Sequence, residues 1–159
     1  MTKDMFSIFL RAGHNTFSTM LRAPLTFGEP SQDPTPGAEY DISGIIGLTG
    51  DMTGSVVISM AWTTAENCVK AFMCSETTPA EDDVCDAIGE LANMIAGSAK
   101  SQLEGKNISI SCPSVVRGKD LQASRPKSTP CVRIPCSCEL GDFELLLSLQ
   151  PANVNAAAA

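Results

Sequence analysis

The stretch from Thr78 to Glu104, TPAEDDVCDAIGELANMIAGSAKSQLE, is the longest helical pattern in the chain and sets the reading of the rest. Thr78 stands as N-cap, Pro79 takes the first helical position, where a missing N–H costs little, and Glu81 lies three residues after the cap to complete a capping box. Val84, Ile88, Leu91, Ile95, Ala99 and Leu103 recur at spacings of three and four, so one stripe faces a core. A second stripe is left over. Asp86 and Glu90 lie one turn apart, Asn93 follows three residues on, and Gly97 continues the same side. An acid and an amide therefore project together beside a position with no side chain. Polar groups on the outer face of an amphipathic helix ordinarily only meet water. Asn and Gly, however, cost up to about 1 kcal/mol each relative to Ala inside a helix, and Asn93 and Gly97 sit near its middle. A functional or packing reason for them is worth seeking.

The chain has 159 residues, enough for one domain with a single core that needs neither disulfides nor a structural metal. Residues 1–155 are read as that domain and Ala156–Ala159 as a disordered tail. A net charge of -7 and a pI near 4.6, without a Lys/Arg cluster, disfavour nucleic acid and anionic membranes as partners. No apolar run reaches membrane-span length and the first residues lack the pattern of a secretory leader, so the expected location is the cytoplasm.

Seven cysteines form an odd set, which in such a setting argues for reduced thiols. Cys136 and Cys138 form C-x-C on an expected strand, where alternation turns both sulfurs to one face. A zinc site needs more ligands than that; His14 is far off in sequence and no C-x-x-C pair occurs, so buried small hydrophobes are the better reading and no metal is expected.

Upstream, Met5 to Arg22 carries Phe6, Phe9, Leu10, Gly13, Phe17, Met20 and Leu21 at helical spacing, with Asp4 as a cap. Pro24 to Gly37, with four prolines and two glycines, is a connector and neither helix nor central strand. Ile42 to Leu48 and Ser55 to Met60 flank Gly50–Gly54 as a hairpin, much of it buried. Thr63 with Glu66 caps a shorter helix to Met73, its inner face made of Ala65, Cys68, Val69, Phe72 and Met73. Beyond the long helix, Asn107 to Cys112 alternates as a strand ending at Pro113, an irregular stretch runs through Gly118, Pro126 and Pro130, and Cys131–Glu139 and Phe143–Gln150 make a second hairpin. Pro135 cannot donate to a ladder, so its strand belongs at a sheet edge or a bulge.

Helices interspersed with hairpins, without strict βαβ alternation, indicate an α+β domain whose largely antiparallel sheet lies under its helices. The element order also hints at two pseudo-repeated halves. In that reading the first helix matches the long one but carries Ala12 three residues before Asn15, where a carboxylate would be needed, so one half alone keeps the acid-amide pair.

Asp86-x-x-x-Glu90-x-x-Asn93 within DAIGELANMIAG, Pro113 downstream, the hairpin GLTGDMTGSVVISM and the later PSVVRGKDL together resemble the CheC/CheX/FliY family of response-regulator phosphatases, its CheX branch most of all. The single motif and the degenerate first helix fit that branch better than CheC, whose members commonly carry two such sites. The resemblance implies a CheC-like fold, a homodimer, and hydrolysis of the aspartyl phosphate on a CheY-like receiver domain. The receiver brings its own Mg²⁺, so no cofactor of this chain's own is implied, and the missing element is a positioned water. By this analogy Asn93 holds water in line through its donor and acceptor, Glu90 orients the partner through its active-site lysine, Gly97 leaves room for the docked surface, and Asp86 supports the helix face or docking. An exposed edge at the Pro135 strand would suit a twofold contact between copies.

Other chemistry is poorly provided for. No G-x-S-x-G elbow occurs, one histidine has no partner in view, and Gly44, Gly47, Gly50 and Gly54 bracket strands without opening a helix. The competing reading is a binding module that recognises a receiver domain or another signalling partner without hydrolysing anything.

Overall fold

The computed structural model describes residues 3–32, 37–38, 40–103, 105–118, 121–122 and 129–152. Its helices are α1 (Lys3–Thr16), α2 (Trp62–Met73) and α3 (Glu81–Gln102). Its strands are β1 (Thr26–Phe27), β2 (Ser31–Gln32), β3 (Gly37–Ala38), β4 (Ile42–Gly50), β5 (Met52–Met60), β6 (Ile108–Ile110), β7 (Ser114–Arg117), β8 (Leu121–Gln122), β9 (Cys131–Cys138) and β10 (Gly141–Pro151). The expected tail Ala156–Ala159 lies outside the described residues.

Two long hairpins, β4–β5 and β9–β10, meet with β5 against β10, and every pairing in the sheet is antiparallel. Gly44, Ile58, Leu145 and Ile134 form one row across these four strands, and the next rows place Ile46, Val56 and Leu147 in line and then Ile42, Met60, Phe143 and Cys136. Alternation sends these rows to the helix-covered face, where they are buried, Gly44 included. The opposite face carries the smaller cluster of Val57, Cys131 and Leu146 with Ile45 against it, together with the buried Ser43–Ser59 hydrogen bond (2.9 Å) and the Arg133–Glu144 ion pair.

Asp51 at the hairpin tip is held from two sides. Its N–H donates to the Asn107 carbonyl oxygen (2.9 Å), its carboxylate accepts the Asn107 N–H (2.7 Å), and its carbonyl oxygen accepts the Ala152 N–H (3.0 Å). Gly54, at φ +145°, leaves the space that the Ser148 carbonyl oxygen occupies, so no other residue fits there.

Several expectations are corrected. Neither capping box forms. Helix α3 starts at Glu81 with Ala80 as N-cap, leaving Thr78 and Pro79 in the lead-in. Three carboxylates in its first turn, Glu81, Asp82 and Asp83, favour its positive end instead. Helix α2 starts at Trp62, and the orphan N–H of Trp62 is capped from another segment by the Asp41 carboxylate (3.1 Å). Glu66 accepts the Trp62 indole N–H (3.1 Å) in place of a cap bond. The stretch after Pro113 is not wholly irregular, because β7 pairs with β4 from Ile45↔Ser114 to Ile42↔Arg117.

The Pro135 strand is not a free edge. β9 pairs on its outer side with β1 (Phe27↔Cys136) and β2 (Ser31↔Arg133), both from the stretch read as a connector. Pro135 sits between these two short pairings, where its carbonyl oxygen accepts the Gly28 N–H (2.8 Å) and no donor is asked of it. The premise for pairing two copies through this strand therefore falls. Helix α1 covers most of its expected span, but Asp4 lies inside it and does not cap it, and it ends in a π-helical turn, Phe17–Leu21, that stacks Phe17 on Phe143 with centroids 4.7 Å apart. The turn leaves Met20 exposed instead of in the core. His14 donates through Nδ1–H to the Leu25 carbonyl oxygen (3.2 Å), a structural role.

Candidate functional site

Helix α3 is pressed onto the sheet at two glycines. A Cβ at Gly44 would stand 2.8 Å from the Ile88 carbonyl oxygen and 3.1 Å from the Ala92 Cβ. A Cβ at Gly89 would stand 3.1 Å from Val115 and 3.5 Å from Pro113. Gly44 lets its strand approach the backbone of α3, Gly89 makes room for the side chains of Val115 and Pro113, and the buried stripe of Val84, Ile88, Leu91, Ala92, Ile95, Ala96 and Ala99 follows. With that face fixed, the 3.6-residue period leaves Asp86, Glu90, Asn93 and Gly97 no choice but to look outward. Asp86 and Glu90 are exposed, and Asn93 and Gly97 are half-buried.

The structure thus brings all four expected site residues to one face. Among the described residues, none makes a hydrogen bond or ion pair with the side chains of Asp86, Glu90 or Asn93, so their polar atoms are uncommitted. A Cβ added at Gly97 would meet nothing within 4 Å, so the face is open there as the sequence suggested. An amide with one donor pair and one acceptor, about one turn from a carboxylate on a rigid helix, can order a water and receive a cation at the same time.

The sequence reading missed the neighbours of this face. Phe72 and Met73, assigned to the inner side of α2, are 36% and 59% exposed. They border a cleft of about 240 Å³ between α2 and α3, lined also by Val69, Ala87, Asp83, Asp86 and Glu90. The signal was the position of the two residues: they end α2, beyond the turn in which Ala65, Cys68 and Val69 reach the core.

No three His, Cys, Asp or Glu side chains among the described residues cluster closely enough to hold a metal ion, and all seven cysteines are free thiols. Cys136 and Cys138 do share a face of β9; Cys136 is buried and donates weakly to the Ile134 carbonyl oxygen (3.5 Å). Burial pushes the Cys136 and Cys68 thiols up to about 12, far from the reactive thiolate range. No described helix is long and apolar enough to cross a membrane.

Comparison with known proteins identifies the family and the fold. Residues 42–137, which contain the central hairpin, α2, α3 and most of β9, match the family model of the chemotaxis phosphatase CheX. The CheY-P phosphatase CheX of Thermotoga maritima is 35% identical over 128 residues, covering 77% of this chain and 81% of that protein. In structure, a chemotaxis protein CheX from Desulfovibrio desulfuricans superposes with a TM-score of 0.83 at 29% identity, over 92% of this chain and 99% of its own. A CheC-like superfamily protein from Shewanella sp. PV-4 superposes with a TM-score of 0.84 at 27% identity, over 94% and 99%. The fold is therefore the CheC-like α+β fold, and the chain belongs to the CheX family of chemotaxis phosphatases.

Proposed function

We propose that this protein hydrolyses the aspartyl phosphate of a CheY-like response regulator, with Asn93 positioning the attacking water and Glu90 orienting the partner. The observation that carries the reading is the uncommitted Glu90–Asn93 pair on the open face of α3, in a chain 35% identical to a CheY-P phosphatase. In the step, a water oxygen attacks phosphorus in line, the acyl P–O bond breaks, the receiver's aspartate leaves as carboxylate, and the water protons end on inorganic phosphate or solvent. This chain supplies no nucleophile and holds no covalent intermediate. The Asn93 side-chain carbonyl accepts a hydrogen bond from the water and fixes its lone pair toward phosphorus, which converts a random encounter into an oriented one.

Glu90 acts on the partner. Its exposed carboxylate is placed to meet a cation of the receiver, and the pair would fix the depth at which Asn93 enters. Gly97 leaves the gap into which the docked surface fits, and Asp86 extends the acidic contact by one turn. The Mg²⁺ of the reaction belongs to the receiver, and this chain needs none of its own. The protein works in the cytoplasm, where such receivers are phosphorylated. Self-association as a homodimer rests on the family resemblance now that β9 is covered, and light scattering at micromolar concentration decides it.

The deciding experiment is phosphate release from a panel of CheY-type receivers phosphorylated with a small-molecule donor. Wild type should shorten the lifetime of the phosphoreceiver it binds. Binding without a shortened lifetime would establish the non-catalytic binding module instead.

A further inference from the structure

The cleft between α2 and α3 lies on the flank of the same helix that presents Glu90, and its composition is unusual for this surface. Phe72 and Met73 are two of the three large hydrophobic side chains exposed among the described residues, and the third, Met20, lies elsewhere. Beneath them the buried Val69 and the half-buried Ala87 make an apolar floor. Along the far side Asp83, Asp86 and Glu90 form an acidic rim, all from α3. A volume of about 240 Å³ is room for one or two side chains, not for a metabolite with a buried body.

We infer that this cleft is the docking seat for the receiver itself, taking an apolar side chain flanked by a lysine or arginine while the acidic rim meets the cation. The inference rests on the phosphatase reading for the identity of the partner. Three features select that occupant. The cleft is continuous with the proposed reaction face, since Glu90 belongs to both. From Asp83 to Asn93 the helix rises about 15 Å, so one partner surface of ordinary size can touch the seat and the water-positioning amide together. An acidic rim around an apolar floor is complementary to a long basic side chain, whose methylene stem covers Phe72 and Met73 while its head reaches the carboxylates. A second copy of this chain is disfavoured, because a twofold contact here would set two acidic rims face to face in a protein of net charge -7.

The seat would give the protein two separable functions on one helix: affinity at the Asp83 end and turnover at the Asn93 end. The test uses the full chain and measures association by fluorescence titration beside single-turnover phosphate release, with the panel of phosphorylated CheY-type receivers. The double variant Phe72→Ser, Met73→Ser removes exposed groups only, and its fold is checked by circular dichroism. It should weaken binding about tenfold or more and leave release at saturation within about twofold of wild type. Asp83→Lys should weaken binding and flatten its salt dependence. Unchanged affinity in the folded double variant overturns the docking seat while leaving the phosphatase reading intact. Binding that the variants weaken, without any release by wild type, supports the seat and overturns the phosphatase reading. A halved mass of the variant in light scattering with unchanged receiver affinity overturns the seat in favour of a second copy. No binding of wild type to any receiver overturns both.

Discussion

The guanidinium of Arg117 lies over the indole of Trp62, its Cζ 4.5 Å from the ring centroid, while the same group pairs with Glu81. One side chain of β7 thus ties the starts of both helices that bound the docking cleft. The partners are about half exposed, so the ion pair itself contributes at most about 1 kcal/mol and the cation–π contact about 0.5–1 kcal/mol. Arg117→Ala should lower the urea midpoint by the equivalent of about 1–2 kcal/mol, and Arg117→Lys should recover only part of that because the flat stacking group is lost.

Two glycines near the site predict opposite outcomes. Gly44→Ala forces its new methyl against the Ile88 carbonyl and Ala92, so α3 must lift and stability should fall by about 1–3 kcal/mol. Gly97→Ala meets nothing and sits inside a helix, so stability should rise by about 0.5–1 kcal/mol. The same methyl fills the gap left for the partner, and phosphate release should fall while the melting temperature climbs. A drop in activity without a gain in stability would contradict the open-space reading of Gly97.

Asn93→Ala should leave fold and receiver affinity nearly intact and reduce single-turnover release about 100-fold or more, the loss expected when a positioning group goes. Glu90→Ala should act first on affinity, because a partner cation is left unpaired. Full activity in a folded Asn93→Ala protein would remove Asn93 from the chemistry.

The periodic stripe of α3, the two hairpins and the outward face of Asp86, Glu90, Asn93 and Gly97 were legible because periodicity records which side of an element is buried. The helix starts were not. Asp41 caps α2 from outside its own segment, a partnership that no local pattern encodes. Phe72 and Met73 continue the α2 period beyond its last core residue, Val69, so their spacing read as core although both are exposed. Pro135 correctly signalled a place that asks for no donor, yet the sequence could not show that β1 and β2 come back to flank it. β7 is four residues long and follows a proline, too short for alternation to register. The chemistry of Glu90 and Asn93 came from family resemblance, since the same spacing on another helix would signify only a solvated face.

The thiols predict a pH response. Burial, with a smaller contribution from neighbouring Cys138, raises Cys68 from about 9 to about 12, and burial likewise dominates at Cys136. The folded state holds these protons more tightly than the unfolded chain, so their contribution is fully present below about pH 9 and is lost as pH rises toward about 12. Chemical denaturation between pH 8 and 11 should show falling stability, and Cys68→Ala should reduce the slope. In native protein at pH 8, alkylation should reach the exposed Cys74 and Cys112 first, with seven thiols titrating after denaturation.

The register of β5 against β10 has a consequence for how the chain is made. Met60 pairs with Phe143 and Val56 with Leu147, so one whole side of a nine-residue central strand waits for the last hairpin to be synthesised. Until those residues clear the ribosome, β5 offers unpaired backbone and the side chains of Val56, Val57 and Ile58 to any passing strand. Closure of the sheet is thus a long-range event of the kind that slows folding. A nascent chain stalled before Phe143 would be a client for chaperones, however well its first hairpin and its helices had already formed.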